Sequence, residues 1–179
     1  MGCRIRQIFS WVLLLGAIVL GVLFGLGMLN TPSAAAAIRA IEEAPGQIVY
    51  QARQTLKDQH GNSWQAIAFK RIGADGQIRF DLRLVGFPGV TEIDRSQPLT
   101  LSNSLGTTLT ANEDSSGLFT EVTKPELNVG QYNLQPLLSK LRSELPLKAT
   151  LPTLGNEAVT LSISPAFVQE WQALAAKKG

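Results

Sequence analysis

Three alternating runs of apolar and polar residues between Gln47 and Gly89 predict three strands. The run 78–84 alternates fully, with Ile78, Phe80, Leu82 and Leu84 on one side and Arg79, Asp81 and Arg83 on the other. Because side chains alternate across a strand, this run predicts one apolar and one solvent-facing side. The run 48–56 repeats the pattern, with Gln54 as a polar exception on its apolar side.

The middle run, Ser63–Ile72, is apolar on both sides, which is typical of a central strand covered on both faces. Turn residues separate the three runs: His-Gly-Asn at 60–62 and Ala-Asp-Gly at 74–76. These residue types tolerate the positive φ angles of tight hairpins. The sequence therefore predicts a three-stranded antiparallel meander.

The sequence also predicts shorter elements before and after the meander. Residues 38–45 predict a helical turn or a linker, and the sequence after the meander predicts five short strands at 98–103, 105–111, 118–122, 147–151 and 159–163. Leucines at helical spacing predict a helix over 134–145 with Asn133 as its cap. Ser164-Pro165 predicts the start of a C-terminal helix that buries Trp171.

These elements predict an α+β domain made mainly of antiparallel strands. About seven or eight short strands are expected to form a sandwich or a small barrel, with two helices. The domain spans 38–179, and a signal or anchor helix precedes it. The apolar stripe of the C-terminal helix predicts that its removal destabilises the whole domain.

The first 37 residues have the pattern of an export leader. Arg4 and Arg6 precede an almost continuous apolar run from Ile8 to Leu29, and alanines fill 34–37. This pattern predicts a signal peptide cleaved after Ala37. The apolar run also approaches the length of a membrane span, so an uncleaved anchor with its basic end inside is the alternative. Both alternatives place the remainder across a membrane.

Charge and cysteine content narrow the function classes. The formal net charge of +2 comes from the leader, because removing Arg4 and Arg6 balances the basic and acidic residues. A neutral domain lacks the clustered positive charge that nucleic acid requires, so no nucleic-acid partner is predicted. The single cysteine, Cys3, lies in the leader, and the domain after it is predicted to fold without a disulfide.

Candidate catalytic chemistry is sparse. His60 is the only histidine, and its place beside Gly-Asn predicts an exposed turn residue rather than a general base. Neither a nucleophile elbow nor a metal-ligand set is present in the sequence. Four carboxylates are candidates for acid–base pairs, but their spacing selects no pair: Asp81, Glu92, Asp94 and Glu121. No enzyme activity, metal or cofactor is predicted.

Basic residues are in excess along the meander, where Arg53, Lys70, Arg71, Arg79 and Arg83 exceed Asp58, Asp75 and Asp81. If the strands align, Arg53, Arg79 and Arg83 share an outer face. One reading is a docking patch for an acidic protein or an anionic lipid surface. The other is charged decoration that protects a sheet.

Three aromatic residues could lie either in a binding surface or in the core. Phe87, in the turn Gly-Phe-Pro-Gly at 86–89, is either an exposed member of the docking patch or a side chain folded into the core. Trp64 and Trp171 lie on apolar stripes, which favours the core over a ligand site.

Four segments resemble the cyanobacterial family called domain of unknown function 3122. They are EEAPGQIVYQARQTLKDQHGNSWQAIAFKR, LRLVGFPG, IDRSQPLTL and PAFVQEW. The resemblance runs from about Ile38 to the C-terminus. It implies export in a cyanobacterial cell, to the thylakoid lumen or the periplasm, and it brings no catalytic residues.

Three functions remain open on the sequence. The first is a non-enzymatic accessory or assembly protein that binds a membrane-protein complex or an anionic lipid surface. The second is a carrier of a small apolar ligand, a lipid or a pigment, inside a β-barrel. The third is an enzyme of unrecognised type, marked by convergent polar groups in a cleft.

Overall fold

The computed structural model describes residues 11, 14–18, 21, 38–44, 46–89, 91–115, 118, 126–155 and 157–178. The chain divides into two compact units, residues 1–35 and 36–179, and the described residues of the first unit are helical. No helix in these ranges is long and apolar enough to cross a membrane. The predicted cleavage after Ala37 lies outside the described residues and stays a prediction.

Nine strands in the described part of the second unit form two antiparallel sheets. The strands are β1 Arg39–Ala44, β2 Gln47–Lys57, β3 Ser63–Ile72, β4 Ile78–Val85, β5 Leu99–Asn103, β6 Thr108–Ala111, β7 Val129–Asn133, β8 Leu147–Leu151 and β9 Val159–Ile163. The five-stranded sheet has the order β1-β2-β3-β4-β7, and the four-stranded sheet has the order β6-β5-β8-β9. A 3-10 helix, Gln135–Lys140, follows β7, and helix α1, Pro165–Ala175, follows β9.

Isolated bridges connect the two sheets at two corners. Asp58, one residue beyond β2, pairs with Leu161 of β9. Glu113, two residues beyond β6, pairs with Tyr132 of β7. These single bridges fix the two sheets against each other, and the described strands form no closed barrel.

Hydrogen bonds to its carboxylate lock Asp58 in place at the first corner. The carboxylate accepts bonds from the backbone N–H groups of His60 and Asn62, the Asn62 amide and the indole N–H of Trp64, at 2.8–3.1 Å. Burial acts to raise the pKa of Asp58, but these bonds outweigh it and hold the pKa below its usual range. The β2–β3 turn is therefore tied to the buried ring of Trp64.

The main core lies between the two sheets and beneath α1. Its largest fully buried side chains are Trp64, Trp171, Tyr132, Phe80, Leu82, Leu84, Ile93, Leu99, Leu101, Leu134, Leu151 and Leu161. Each large side chain buried in this way contributes about 1.5–3 kcal/mol relative to exposure. The fold is therefore stabilised chiefly by contact between the inner faces of the sheets.

Both ends of α1 are fixed by side chains. The Ser164 hydroxyl accepts a hydrogen bond from the backbone N–H of Phe167 at 3.4 Å. At the other end, the buried Lys70 ammonium donates to the carbonyl oxygens of Ala175 and Lys177, at 2.6 and 2.7 Å. A cation at a helix C-terminus satisfies carbonyls that lack helical partners and complements the helix dipole. Lys70 therefore belongs to the interior, on the face opposite the neighbouring arginines.

The meander, the paired short strands and α1 confirm the sequence predictions. Gly61 and Gly76 adopt φ angles of +84° and +78° in the two predicted turns. Trp64 and Trp171 are both core residues, with 1% and 0% exposure. Four of the five short strands after the meander are present as β5, β6, β8 and β9. The fifth, at 118–122, falls almost entirely outside the described residues.

Three other predictions were wrong. Residues 38–45 contain strand β1, which pairs with the edge of β2, rather than a helical turn or a linker. The segment 134–145 forms a short 3-10 helix that ends at Lys140, because Leu141 returns to an extended conformation. The small-barrel alternative was wrong, because the described strands form the two sheets that the sandwich alternative expected. Strand β7 was also not predicted from the sequence.

We expect Trp171→Ala to lower the free energy of unfolding by about 3–5 kcal/mol, because it empties a fully buried site between α1 and the sheets. The exposed Gln169 on the same helix provides the control, and Gln169→Ala should change the free energy by less than about 0.5 kcal/mol. Urea unfolding followed by tryptophan fluorescence and circular dichroism measures both. A loss below about 1 kcal/mol for Trp171→Ala would contradict the packing of α1.

Candidate functional site

The outer face of the five-stranded sheet, turned away from the main core, carries most of the arginines of the meander. Directly paired residues share a face. One row across the sheet is Arg53, Ile67, Arg83 and Gln131, the next is Arg39, Gln51, Phe69, Asp81 and Asn133, and a third is Val49, Arg71 and Arg79. We term this surface the arginine face, defined by Arg39, Arg53, Arg71, Arg79 and Arg83 with the side chains between them.

A small apolar cluster forms the floor of the arginine face. Val49, Ile67 and Phe69 pack together, separate from the main core, and each is less than 10% exposed. The guanidinium carbons of Arg71 and Arg83 lie 5.5 and 5.2 Å from the centre of the Phe69 ring. Cations at this distance interact favourably with an aromatic ring. The alkyl part of an arginine side chain also covers apolar surface. The arginines therefore shield the cluster as well as charge the face.

Polar neighbours orient two of the guanidinium groups. Arg83 donates from Nε and Nη2 to the Oε1 of Gln131, at 3.3 and 3.1 Å. Arg79 forms an ion pair with Asp114, in the segment that follows β6. Arg39 and Arg53 are exposed at the β1–β2 side of the face. The face therefore combines oriented guanidinium groups on β4 with exposed guanidinium groups on β1 and β2.

Asp81 is buried in the middle of this cationic surface. It lies between Phe69 and Asn133 in its row and is 0% exposed. Neither carboxylate oxygen accepts a hydrogen bond from any residue in the described part of the chain. Its Oδ2 atom lies 4.0 Å from the Nε of Arg79.

The environment of Asp81 disfavours its charged form. Burial raises the pKa of the Asp81 carboxyl above its usual range, and the nearby Arg79, Arg71 and Arg83 oppose this rise without cancelling it. A carboxylate without hydrogen bonds is costly to bury. The centre of the arginine face therefore holds a group whose protonation changes the charge of the surface.

A family model described as "Protein of unknown function (DUF3122)" matches residues 36–174. The chain belongs to this family. No curated protein and no solved structure matches the chain. The arginine face of this DUF3122 chain lies on strands within the matched range.

The structure brings together three of the four residues predicted for a docking patch. Arg53, Arg79 and Arg83 share the arginine face, whereas Phe87 follows the far end of β4, in the turn beyond Val85. Phe87 is 68% exposed, so the alternative in which it folds into the core was wrong. A docking role for these residues stays a prediction.

Arg39 and Arg71 are the charged members of this surface that the sequence did not place on it. The sequence did place Asp81 beside Arg79 and Arg83, but as an exposed residue. Residue parity could have found Arg71, because it is in phase with Ile67 and Phe69 along β3. Arg39 lies in the segment that was not predicted as a strand. The burial of Asp81 had no local signal, since an alternating charged residue predicts an exposed side chain.

His60 lies beside a cavity of about 560 Å³ at one end of the domain. The cavity is lined mainly by polar residues of the β2–β3 turn, the segment after β4 and the β8–β9 connection: Asp58, Gln59, His60, Asn62, Gly89, Thr91, Glu92, Thr153, Leu154, Gly155, Glu157 and Val159. The Nε2 of His60 is 3.3 Å from Glu157, and the His60 side chain is 57% exposed. His60 is thus a turn residue, as predicted.

The candidate carboxylates are spread over different elements. Asp81 lies within the arginine face, Glu92 lines the cavity, and Asp94 accepts hydrogen bonds from Ser96 and Gln97 in its own turn. Glu121 lies outside the described residues. Among the described residues, no three histidines, cysteines or acidic residues are grouped to hold a metal ion.

Asp81→Asn should stabilise the protein at neutral pH by about 1–2 kcal/mol, because it replaces a buried carboxylate by a neutral side chain of equal shape. A raised folded-state pKa means that the wild type loses stability as the pH rises through that pKa. The advantage of the variant should therefore shrink as the pH falls and vanish below the pKa of an unfolded aspartate. Urea unfolding at several pH values measures it, and a destabilised variant at pH 7 would contradict the environment assigned to Asp81.

Proposed function

We propose that this chain is a non-enzymatic, exported accessory protein that docks an acidic surface of a partner protein through its arginine face. The observation that carries the proposal is the strand register, which places Arg53 with Arg83, and Arg71 with Arg79, in two rows of one sheet face. The row that holds Asp81 lies between these two rows. Clustered cations on one surface attract an acidic partner and select its orientation.

The sequence of the leader supports the proposal that the protein is exported. Its basic start, long apolar run and alanine cluster are typical of a segment that directs export. The family resemblance favours the lumenal or periplasmic side of a cyanobacterial membrane. A membrane-protein complex is then the natural partner class, because an uncleaved leader would hold the domain beside that membrane.

The form of the arginine face favours a protein partner over anionic lipid. Arg83 is held by Gln131 and Phe69, and Arg79 by Asp114, so their planar groups have defined orientations. Oriented guanidinium groups suit the two-point recognition of carboxylates, whereas a lipid surface requires only net charge. The exposed Phe87 would help membrane insertion, but it follows the opposite end of β4 from Arg79.

The carrier hypothesis has no support in the fold. It requires a barrel with an internal cavity, and the described strands form two sheets whose facing side chains are almost fully buried. The cavity beside His60 is lined mainly by polar and charged residues. A lipid or pigment needs a predominantly apolar lining. We therefore propose docking rather than transport.

Reversal of two charges on the arginine face tests the proposal. Arg53→Glu with Arg79→Glu should weaken the binding of a fluorescent oligoglutamate peptide by about tenfold or more at low ionic strength. Fluorescence anisotropy at pH 7 measures the affinity. Added salt should weaken wild-type binding, because the attraction is electrostatic.

A matched double reversal controls for net charge. Lys140→Glu with Lys148→Glu changes the total charge equally, at exposed residues outside the five-stranded sheet, and it should leave peptide binding within about twofold of wild type. Equal losses in both double variants would contradict a localised docking face. Stronger binding of the wild type to phosphatidylglycerol vesicles than to the peptide would replace the protein partner by lipid.

A further inference from the structure

We infer that proton uptake by Asp81 strengthens the binding of an acidic partner to the arginine face, so that docking is tightened by acid. This inference rests on the proposed docking function. Asp81 is a fully buried carboxylate in the central row of the face. When it is ionised, its negative charge partly offsets the positive charge of the arginines around it.

The charged groups that face Asp81 are mainly cationic. Strand β3 supplies Arg71, and β4 supplies Arg79 and Arg83 on either side of Asp81. Strand β7 supplies only the uncharged Gln131 and Asn133 in this region. The segment after β6 supplies Asp114, which is paired with Arg79. Among the described residues, Asp81 and Asp114 are therefore the acids that offset the positive charge of these arginines, and Asp81 is the fully buried one.

Asp81 holds its proton more readily than an exposed aspartate does. Its carboxylate oxygens have no hydrogen-bond donor in the described part of the chain, and the Nε of Arg79 lies 4.0 Å from its Oδ2. Burial raises its pKa, against the attraction of the three arginines. Asp81 would therefore be neutralised at a higher pH than an ordinary aspartate, and the net charge of the face would become more positive by one.

Thermodynamic linkage makes the effect reciprocal. If protonated Asp81 favours the acidic partner, then the bound partner must favour protonated Asp81 by the same factor. Binding near the pKa of Asp81 should therefore take up a proton from solution. This coupling separates a protonation switch from a surface that merely binds anions.

The test uses the full-length protein with a short peptide of cysteic acid residues, whose sulfonates stay ionised across the pH range. Wild-type affinity should rise about tenfold as the pH falls between about pH 8 and pH 4. Asp81→Asn should bind at all pH values as tightly as the wild type does in acid. His60→Asn is the control for histidine, the side chain that usually titrates in this range, and should keep the wild-type pH dependence.

Carbon-13 NMR of the Asp81 carboxyl group in the wild-type protein provides a readout that does not depend on the variant. Saturating peptide should move its titration midpoint to higher pH. Three results would each overturn the switch and leave docking intact. The affinity of the wild type could be independent of pH, the affinity of Asp81→Asn could depend on pH as strongly as that of the wild type, or the peptide could leave the titration midpoint of Asp81 unchanged. Failure of the wild type to bind the peptide at any pH would overturn the docking function itself, and the switch with it.

Discussion

The antiparallel register between β3 and β4 is the constraint on which the rest of the structure depends. It sets Ala68 opposite Leu82 in the core and Phe69 opposite Asp81 on the outer face. A slip by one residue would exchange the two faces, sending Asp81 into the core and Leu82 to the surface. The burial of the inner side chains therefore also determines which charges meet on the arginine face.

Residue parity predicted the part of the site that depends on this register. Once 78–84 is a strand, Arg79 and Arg83 must share a face, and the hairpin turns bring Arg53 to the same side. Alternation also places Lys70 and Arg71 on opposite faces of the sheet. In the structure, Lys70 donates a hydrogen bond to a carbonyl oxygen at the end of α1. These features follow from local alternation and turn chemistry, which the sequence displays directly.

Other features depend on tertiary contacts that no local pattern contains. Strand β1 exists because its backbone pairs with the edge of β2, and IRAIEEAP alternates too weakly to predict a strand. The spacing of Leu134, Leu137 and Leu141 suits burial in a 3-10 turn as well as in an α-helix, so the stripe did not fix the helix type. The burial of Asp81 likewise arises from its neighbours on three strands.

The arginine face joins two opposing physical effects. Stacking on Phe69 and the bonds to Gln131 and Asp114 hold arginines over the apolar cluster. The desolvation free energy of this arrangement is small, because the guanidinium groups remain near solvent. Asp81, in contrast, occupies a position where its ionised form is poorly solvated. Ionisable groups with a strongly shifted pKa are enriched at functional sites. This enrichment supports the proposal that Asp81 and the arginines around it act as one site.

Amide chemical-shift mapping of the nitrogen-15-labelled full-length protein with an oligoglutamate peptide is the most direct test of the proposed docking on the arginine face. The docking function predicts that shifts concentrate on the outer face, at Arg53, Phe69, Asp81 and Arg83, and that the β2–β3 turn beside the cavity changes little. Shifts centred on His60 and Glu157, or on the turn that carries Phe87, would contradict it.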